Sequence, residues 1–263
     1  MRMSTLEGLI FGLLQGITEF LPVSSSAHLK LVKMLFGIES SESQVVFDLI
    51  CHLGTLVAVL LFFRKDLVQL FTKDRKQLGL LFLATLPLIP CYLLLKPLRD
   101  FASAPQYLGI CLMITSLILF IGNKWRVQRA TTAPSAKKIR DILMIGTMQS
   151  AALIPGISRS ASTISCARVL GWSPSEAVRF SFLLSIPTII GGNCLEALKL
   201  YVSTEAPIEV SISACIAAFA ASCIVGLFMV RFAISILEKG NLKPFAWYCL
   251  VLGLVTTLFL CVV

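Results

Sequence analysis

The sequence predicts an all-α integral membrane protein with six transmembrane helices and two re-entrant helical hairpins. Three observations carry that reading. The 263 residues are 57% hydrophobic and 14% charged, with a mean hydropathy of +0.87, a balance that soluble domains do not reach. Six apolar stretches, about 46–63, 78–95, 106–122, 178–199, 210–231 and 245–263, are long enough to cross a bilayer, which takes roughly 20 residues of helix. Two more, about 5–36 and 141–171, are broken in the middle by proline and serine. Unwound backbone survives at membrane depth only where protein or water surrounds it, so both read as hairpins.

The first hairpin carries Gln15-Gly-Ile-Thr-Glu19-Phe-Leu-Pro22-Val-Ser24-Ser25-Ser26-Ala-His28. Gln15 and Glu19 lie one helical turn apart on one face. Pro22 has no N–H and clashes with the preceding turn, so the spacing ends the helix there. Ser24, Ser25 or Ser26 then caps a second helix, whose early amides and dipole favour an anion. A carboxylate, three hydroxyls and an imidazole in an apolar segment are costly unless something binds them. In the first span, Asp48 and His52 share a face at the same one-turn spacing, as a packed polar pair or as support for the site.

The second hairpin breaks at Pro155-Gly156-Ile157-Ser158-Arg159-Ser160. Proline and glycine end one helix there, and serines start the next. An arginine deep in a membrane protein costs at least about 2.5–3.5 kcal/mol, and its planar fork suits phosphate or carboxylate. Two helix N-termini plus Arg159 describe an anion site. Glu19 beside it would repel a phosphate unless protonated or bridged by a cation that takes oxygen ligands, which points to Mg²⁺, or another divalent ion such as Ca²⁺, on Glu19 and Gln15. Asp48 and His52 are the second tier of that metal set.

Loop charge orients the chain. Fifteen Lys/Arg fall in loops 64–77, 123–140, 172–179 and 231–244, against two in loops 37–45, 96–105 and 200–209. The first set is cytoplasmic by the positive-inside rule. If each hairpin were a full crossing, the division would weaken to 11 against 6. The hairpin topology puts both termini outside and opens the first hairpin outward. Glu39, Glu42, Glu205 and Glu209 then read as solvated outer-loop charges, and Lys30 and Lys33 either attract phosphate or snorkel to the interface.

The chain also repeats itself. At an offset of 133 or 134, Gln15 matches Gln149, Pro22 matches Pro155, Ser25 matches Ser158, Gly37 matches Gly171, Phe47 matches Phe180 and Thr55 matches Thr188. Three crossings separate the hairpins, so the halves would be inverted repeats, about 5–122 and 141–263, within one membrane domain 1–263 joined by loop 123–140.

Composition excludes other classes. A net charge of +9 concentrated in short loops is how cytoplasmic loops look, so nucleic acid is not the partner. Nine cysteines without metal-type spacing read as reduced core residues. The N-terminus carries no small-residue cleavage pattern and reads as no removable signal.

The two long motifs, with Phe47-Asp-Leu-Ile-Cys-His52-Leu-Gly-Thr, resemble the signatures of the undecaprenyl-diphosphate phosphatase family, also called the bacitracin-resistance protein family, in order across the chain. The resemblance implies an enzyme of the bacterial inner membrane, and the outward-opening first hairpin of the topology above predicts an active site on the outer side. Such an enzyme removes one phosphate from a prenyl diphosphate lipid to regenerate the carrier for wall polymers. It further implies that Glu19 is the essential carboxylate, that Gln15 stands where the family has Glu or Gln, that Ser24, Ser25, Ser26 and His28 are the polar cluster, and that Arg159 binds phosphate. Ser158 and Ser160 would assist it.

Several alternatives stay open at this point. Ser25 with His28 as base would form a phosphoserine; His28 would otherwise activate water or be phosphorylated itself. Inverted repeats with broken helices also suit a secondary transporter or flippase for an anionic lipid or solute. Surrounding lipids are the other expected partner, and a homo-oligomer is compatible with everything above.

Overall fold

The structure, a computed structural model, describes residues 4–38, 42–124, 139–203 and 210–262. Loop 123–140 lies outside them apart from its ends, as do Glu39, Glu205 and Glu209. All regular structure among the described residues is helical. In chain order the helices are α1 (Thr5–Thr18), α2 (Ser25–Leu35), α3 (Glu42–Phe62), α4 (Arg64–Thr72), α5 (Arg75–Thr85), α6 (Leu88–Leu94) and α7 (Lys96–Ala102). They continue as α8 (Leu108–Lys124), α9 (Ile139–Gln149), α10 (Arg159–Val169), α11 (Pro174–Ser203), α12 (Ile212–Leu237) and α13 (Lys243–Val262).

Six segments of the described chain are long and apolar enough to span a membrane: Gln44–Phe62, Arg75–Leu94, Pro105–Lys124, Pro174–Val202, Ile212–Leu237 and Lys243–Cys261. They coincide with the six stretches expected from hydropathy, so the chain is an all-helical, multi-pass membrane protein. Large apolar side chains such as Phe228, Val255 and Leu258 are exposed on these helices, as suits a surface whose solvent is hydrocarbon. One span departs from expectation. Arg75–Leu94 is two helices, α5 and α6, because Pro87 cannot donate to the α5 ladder.

The two expected breaks are present, but both fall earlier than their prolines. Helix α1 stops at Thr18, four residues before Pro22, and a turn covers 19–23. A proline ring collides with the carbonyl four residues back, which here belongs to Thr18. Glu19 is thereby the C-cap of α1 rather than a residue of its interior. Likewise α9 ends at Gln149 and a 3₁₀ turn over Ser150–Leu153 precedes Pro155. Of the three serines able to cap α2, Ser24 does so, accepting from Ala27 N. Its φ of 70° is positive, a conformation that L-residues rarely hold. Ser158 caps α10 in the same way, accepting from Ala161 N.

Glycine sets the closest packing. A Cβ on Gly8 or Gly12 would strike the α12 backbone at Ala214 or Ala218, and one on Gly146 would strike the α5 backbone at Ala84. The pairs Gly12–Ala218 and Gly146–Ala84 are the same contact with partners exchanged at an offset of 134. The larger core joins Phe20 and Val23 of the first break to Phe63, Ala161, Trp172 and Phe182, with the Phe20 and Phe182 rings 5.6 Å apart. It seats the first break against α10 and α11. All nine cysteines are free thiols.

Candidate active site

The two breaks meet. Ser26 Oγ accepts from Gly156 N at 3.4 Å, and Ser160 Oγ donates to the Leu21 carbonyl at 3.1 Å. Each break thus satisfies backbone groups that the other leaves without a helical partner. Between them lies a cavity of about 530 Å³, lined by residues of both breaks, α3, α6, α7 and α11.

Glu19 is its centre. Its Oε1 accepts from Arg159 Nη2 at 3.0 Å. Its Oε2 accepts from Gln15 Nε2 at 2.9 Å and from Ser25 Oγ at 2.8 Å. Ser181 O takes a further guanidinium bond, from Nη1 at 3.2 Å. The Glu19 and Arg159 side chains are 8% and 13% exposed. A pair this buried adds little net stability, since desolvation offsets most of the attraction. Its two members come from distant parts of the chain and face an open cavity, which is the disposition of a binding site.

The structure separates the two histidines of the sequence. His28 Nδ1 donates to the Ser24 carbonyl at 2.8 Å, and Nε2 accepts from Tyr248 O–H at 2.7 Å. Both ring nitrogens are engaged, neither with Ser25, and His28 is absent from the cavity lining. The expected Ser25–His28 pair is not assembled; Ser25 bonds Glu19 instead. His52 does line the cavity. Its Nδ1 donates to the Asp48 carbonyl at 2.7 Å, which leaves Nε2 3.9 Å from Glu19 Oε2.

The remaining sequence-predicted residues divide similarly. Ser24, Ser25, Ser26, Ser158, Arg159, Ser160, Asp48 and His52 all line the cavity. The Asp48 carboxylate is held by Lys33 Nζ at 2.7 Å, so Lys33 neither snorkels nor reaches the cavity. Lys30 donates to the Ser103 carbonyl at 3.4 Å. Sequence reasoning missed Tyr248, whose only signal was an aromatic with a hydroxyl inside a span. It also missed Tyr92 and Arg99 in the lining, although Arg99 is one of just two basic residues in loops 37–45, 96–105 and 200–209.

The family model described as "Bacitracin resistance protein BacA" matches residues 8–255. The chain belongs to this family. Among its relatives is the "Undecaprenyl-diphosphatase" of Protochlamydia amoebophila, 43% identical, with 98% of this chain and 99% of the relative aligned. That of Carboxydothermus hydrogenoformans is 38% identical over 95% of each chain. "Undecaprenyl-diphosphatase 3" of Bacillus anthracis is 36% identical over 97% of each. The membership expected from the two motifs therefore holds over nearly the whole length, and the BacA match takes in both breaks and all the cavity-lining residues named above.

Proposed function

We propose that this chain hydrolyses undecaprenyl diphosphate to undecaprenyl phosphate and inorganic phosphate, recycling a wall-polymer lipid carrier and thereby conferring bacitracin resistance. Family membership and the activity named for its relatives support the substrate. The observation that carries the chemistry is the contact chain Ser25 Oγ–Glu19–Arg159, in which a hydroxyl, a base and an anion-binding fork meet in one cavity.

The substrate's terminal phosphate displaces Arg159 from Glu19 and takes its planar fork, with the N-termini of α2 and α10 adding amide donors. Ser25 Oγ attacks the terminal phosphorus as its proton passes to Glu19 Oε2. The phosphorus–bridging oxygen bond breaks, and undecaprenyl phosphate leaves with the electron pair. Glu19 passes the Ser25 proton to the departing lipid phosphate and is a carboxylate again. Water then attacks the phosphoserine, its proton going to Glu19 and from there to Ser25 Oγ as the serine–phosphorus bond breaks and phosphate is freed. Positioning and charge neutralisation do most of the work in such a transfer. In this scheme His28 holds the first break in shape.

The residues also fit a hard divalent cation. Gln15 Oε1 is buried without a hydrogen-bond partner, and an amide flip would set that oxygen beside Glu19 Oε2. Bound there, Mg²⁺ would neutralise phosphate charge.

The two helix–break–helix pairs are re-entrant hairpins of an inverted repeat in this reading, supported by the exchanged glycine contacts. The cavity draws on the first half of α3, on α7 and on the second half of α11. Those segments adjoin the loops poor in Lys/Arg, so the site opens to the outer side of the cell membrane.

Phosphate release from a prenyl diphosphate by purified protein, with and without EDTA, tests the proposal. Release by the wild type, lost on chelation and in Glu19→Ala and Arg159→Ala, is expected. A folded protein that binds the lipid and releases no phosphate would overturn it in favour of a carrier.

A further inference from the structure

The cavity holds a second guanidinium to which the scheme above gives no task. Arg99, on α7, lines it together with Arg159, and its side chain is only 18% exposed. The other charged groups of the lining have close partners: Arg159 with Glu19, Asp48 with Lys33, and Glu196 with Lys199. Arg99 has nothing equivalent among the described residues. Asp100 Oδ1 lies 3.9 Å from its Nε, on a carboxylate that is 60% exposed and therefore well solvated. Its guanidinium carbon sits 4.1 Å from the centroid of the Tyr92 ring. Such stacking occupies a face of the group and leaves the edge, where the N–H donors lie, open to an anion. None of those donors makes a hydrogen bond among the described residues. Tyr92 lines the same cavity and holds the fork in place.

We propose that Arg99 binds the phosphate that stays on the lipid, so that the cavity recognises a diphosphate with two guanidiniums. This rests on the diphosphatase reading: Arg159 takes the phosphate that is transferred, Arg99 the one that leaves with the prenyl chain. Inorganic phosphate engages one arginine, whereas a diphosphate engages both. Tyr92 is a positioning residue, acting through Arg99.

Calorimetric titration of the detergent-purified full chain with methylenediphosphonate and with inorganic phosphate tests this without turnover. The wild type should favour the diphosphonate by about tenfold or more, the scale of one charge-assisted bidentate contact. Arg99→Ala should bring the two ligands within about threefold, and Arg99→Lys, which keeps the charge but not the fork, should fall between. With prenyl diphosphate, Arg99→Ala should act mainly on KM. Tyr92→Leu, a milder change, should raise KM by about threefold with kcat retained, and it supplies the test if Arg99→Ala does not fold. An unchanged diphosphonate preference in Arg99→Ala, or an unchanged KM in Tyr92→Leu, overturns the inference and leaves the phosphatase reading standing. Diphosphonate binding that depends on Arg99 in a protein releasing no phosphate would do the reverse.

Discussion

At the first break Ser24 caps α2, and His28 Nδ1 bonds back to the Ser24 carbonyl; at the second Ser158 caps α10, and Ser162 Oγ bonds back to the Ser158 carbonyl. Residues 134 apart hold the same backbone roles. The equipment differs. The caps pair Ser24 with Ser158, one residue from the Ser25–Ser158 match expected from sequence. Glu19 at the first break therefore stands opposite Leu153 at the second, and Ser25, just after the cap, stands opposite Arg159. The first break thus delivers carboxylate and hydroxyl, and the second delivers the guanidinium. Positions that share a backbone bond describe scaffold, and Glu19, Ser25 and Arg159, which have no such counterpart, describe chemistry. His28 differs in type from its counterpart Ser162 but makes the same bond back to the capping serine's carbonyl, which is why an imidazole in a signature motif is assigned to shape.

The sharpest way to break this division is to remove the second side's contribution. Arg159→Ala should lower kcat/KM by about 10³-fold or more, the upper range for losing a preorganised anion donor. Arg159→Lys should recover only part of it, because the fork is lost. Glu19→Gln keeps the size and the bond from Arg159 but cannot take the Ser25 proton, so steady-state assay should show a fall of about 10²–10⁴-fold. If Glu19→Gln stayed active, the base would have to be sought elsewhere.

The matched positions predict smaller effects, on stability. Gly12→Ala and Gly146→Ala each drive a methyl into a neighbouring backbone and should cost about 1–3 kcal/mol each, seen as lower Tm in detergent. Gly79, with nothing within 4 Å, is the control, and Gly79→Ala should not lower Tm. A cost confined to one of the first two would argue against equivalent packing of the halves. Smallest on activity is His28→Ser, which installs the second break's own solution. Loss of the Tyr248 bond should cost about 1–2 kcal/mol while turnover stays within about tenfold; a collapse to the Arg159→Ala level would return His28 to the chemistry.

Much of this was legible before the fold. Hydropathy fixed the spans, because a bilayer imposes length on any helix that crosses it. Glu19 and Arg159 stood out because burying charge is costly, and that cost marks function. Pairing was not legible. Ser25 and His28 lie three residues apart on one helix, yet one bonds Glu19 and the other Tyr248, a partner 220 residues away. His52 and Asp48 looked like a side-chain pair, but the imidazole takes Asp48's backbone and Lys33 takes its carboxylate. Spacing gives the face of a helix, whereas tertiary packing chooses what the face meets. The breaks came earlier than their prolines because the ring acts on the turn before it.

The most direct test of the two-sided site is to trap its intermediate. A prenyl diphosphate carrying ³²P in its terminal phosphate would be mixed with enzyme, quenched in acid within one turnover, and the labelled peptide mapped. Label on Ser25, absent in Ser25→Ala and in Arg159→Ala, is the predicted result. Label on His28, or full turnover by Ser25→Ala with no label anywhere, would contradict the assignment of chemistry to Glu19, Ser25 and Arg159.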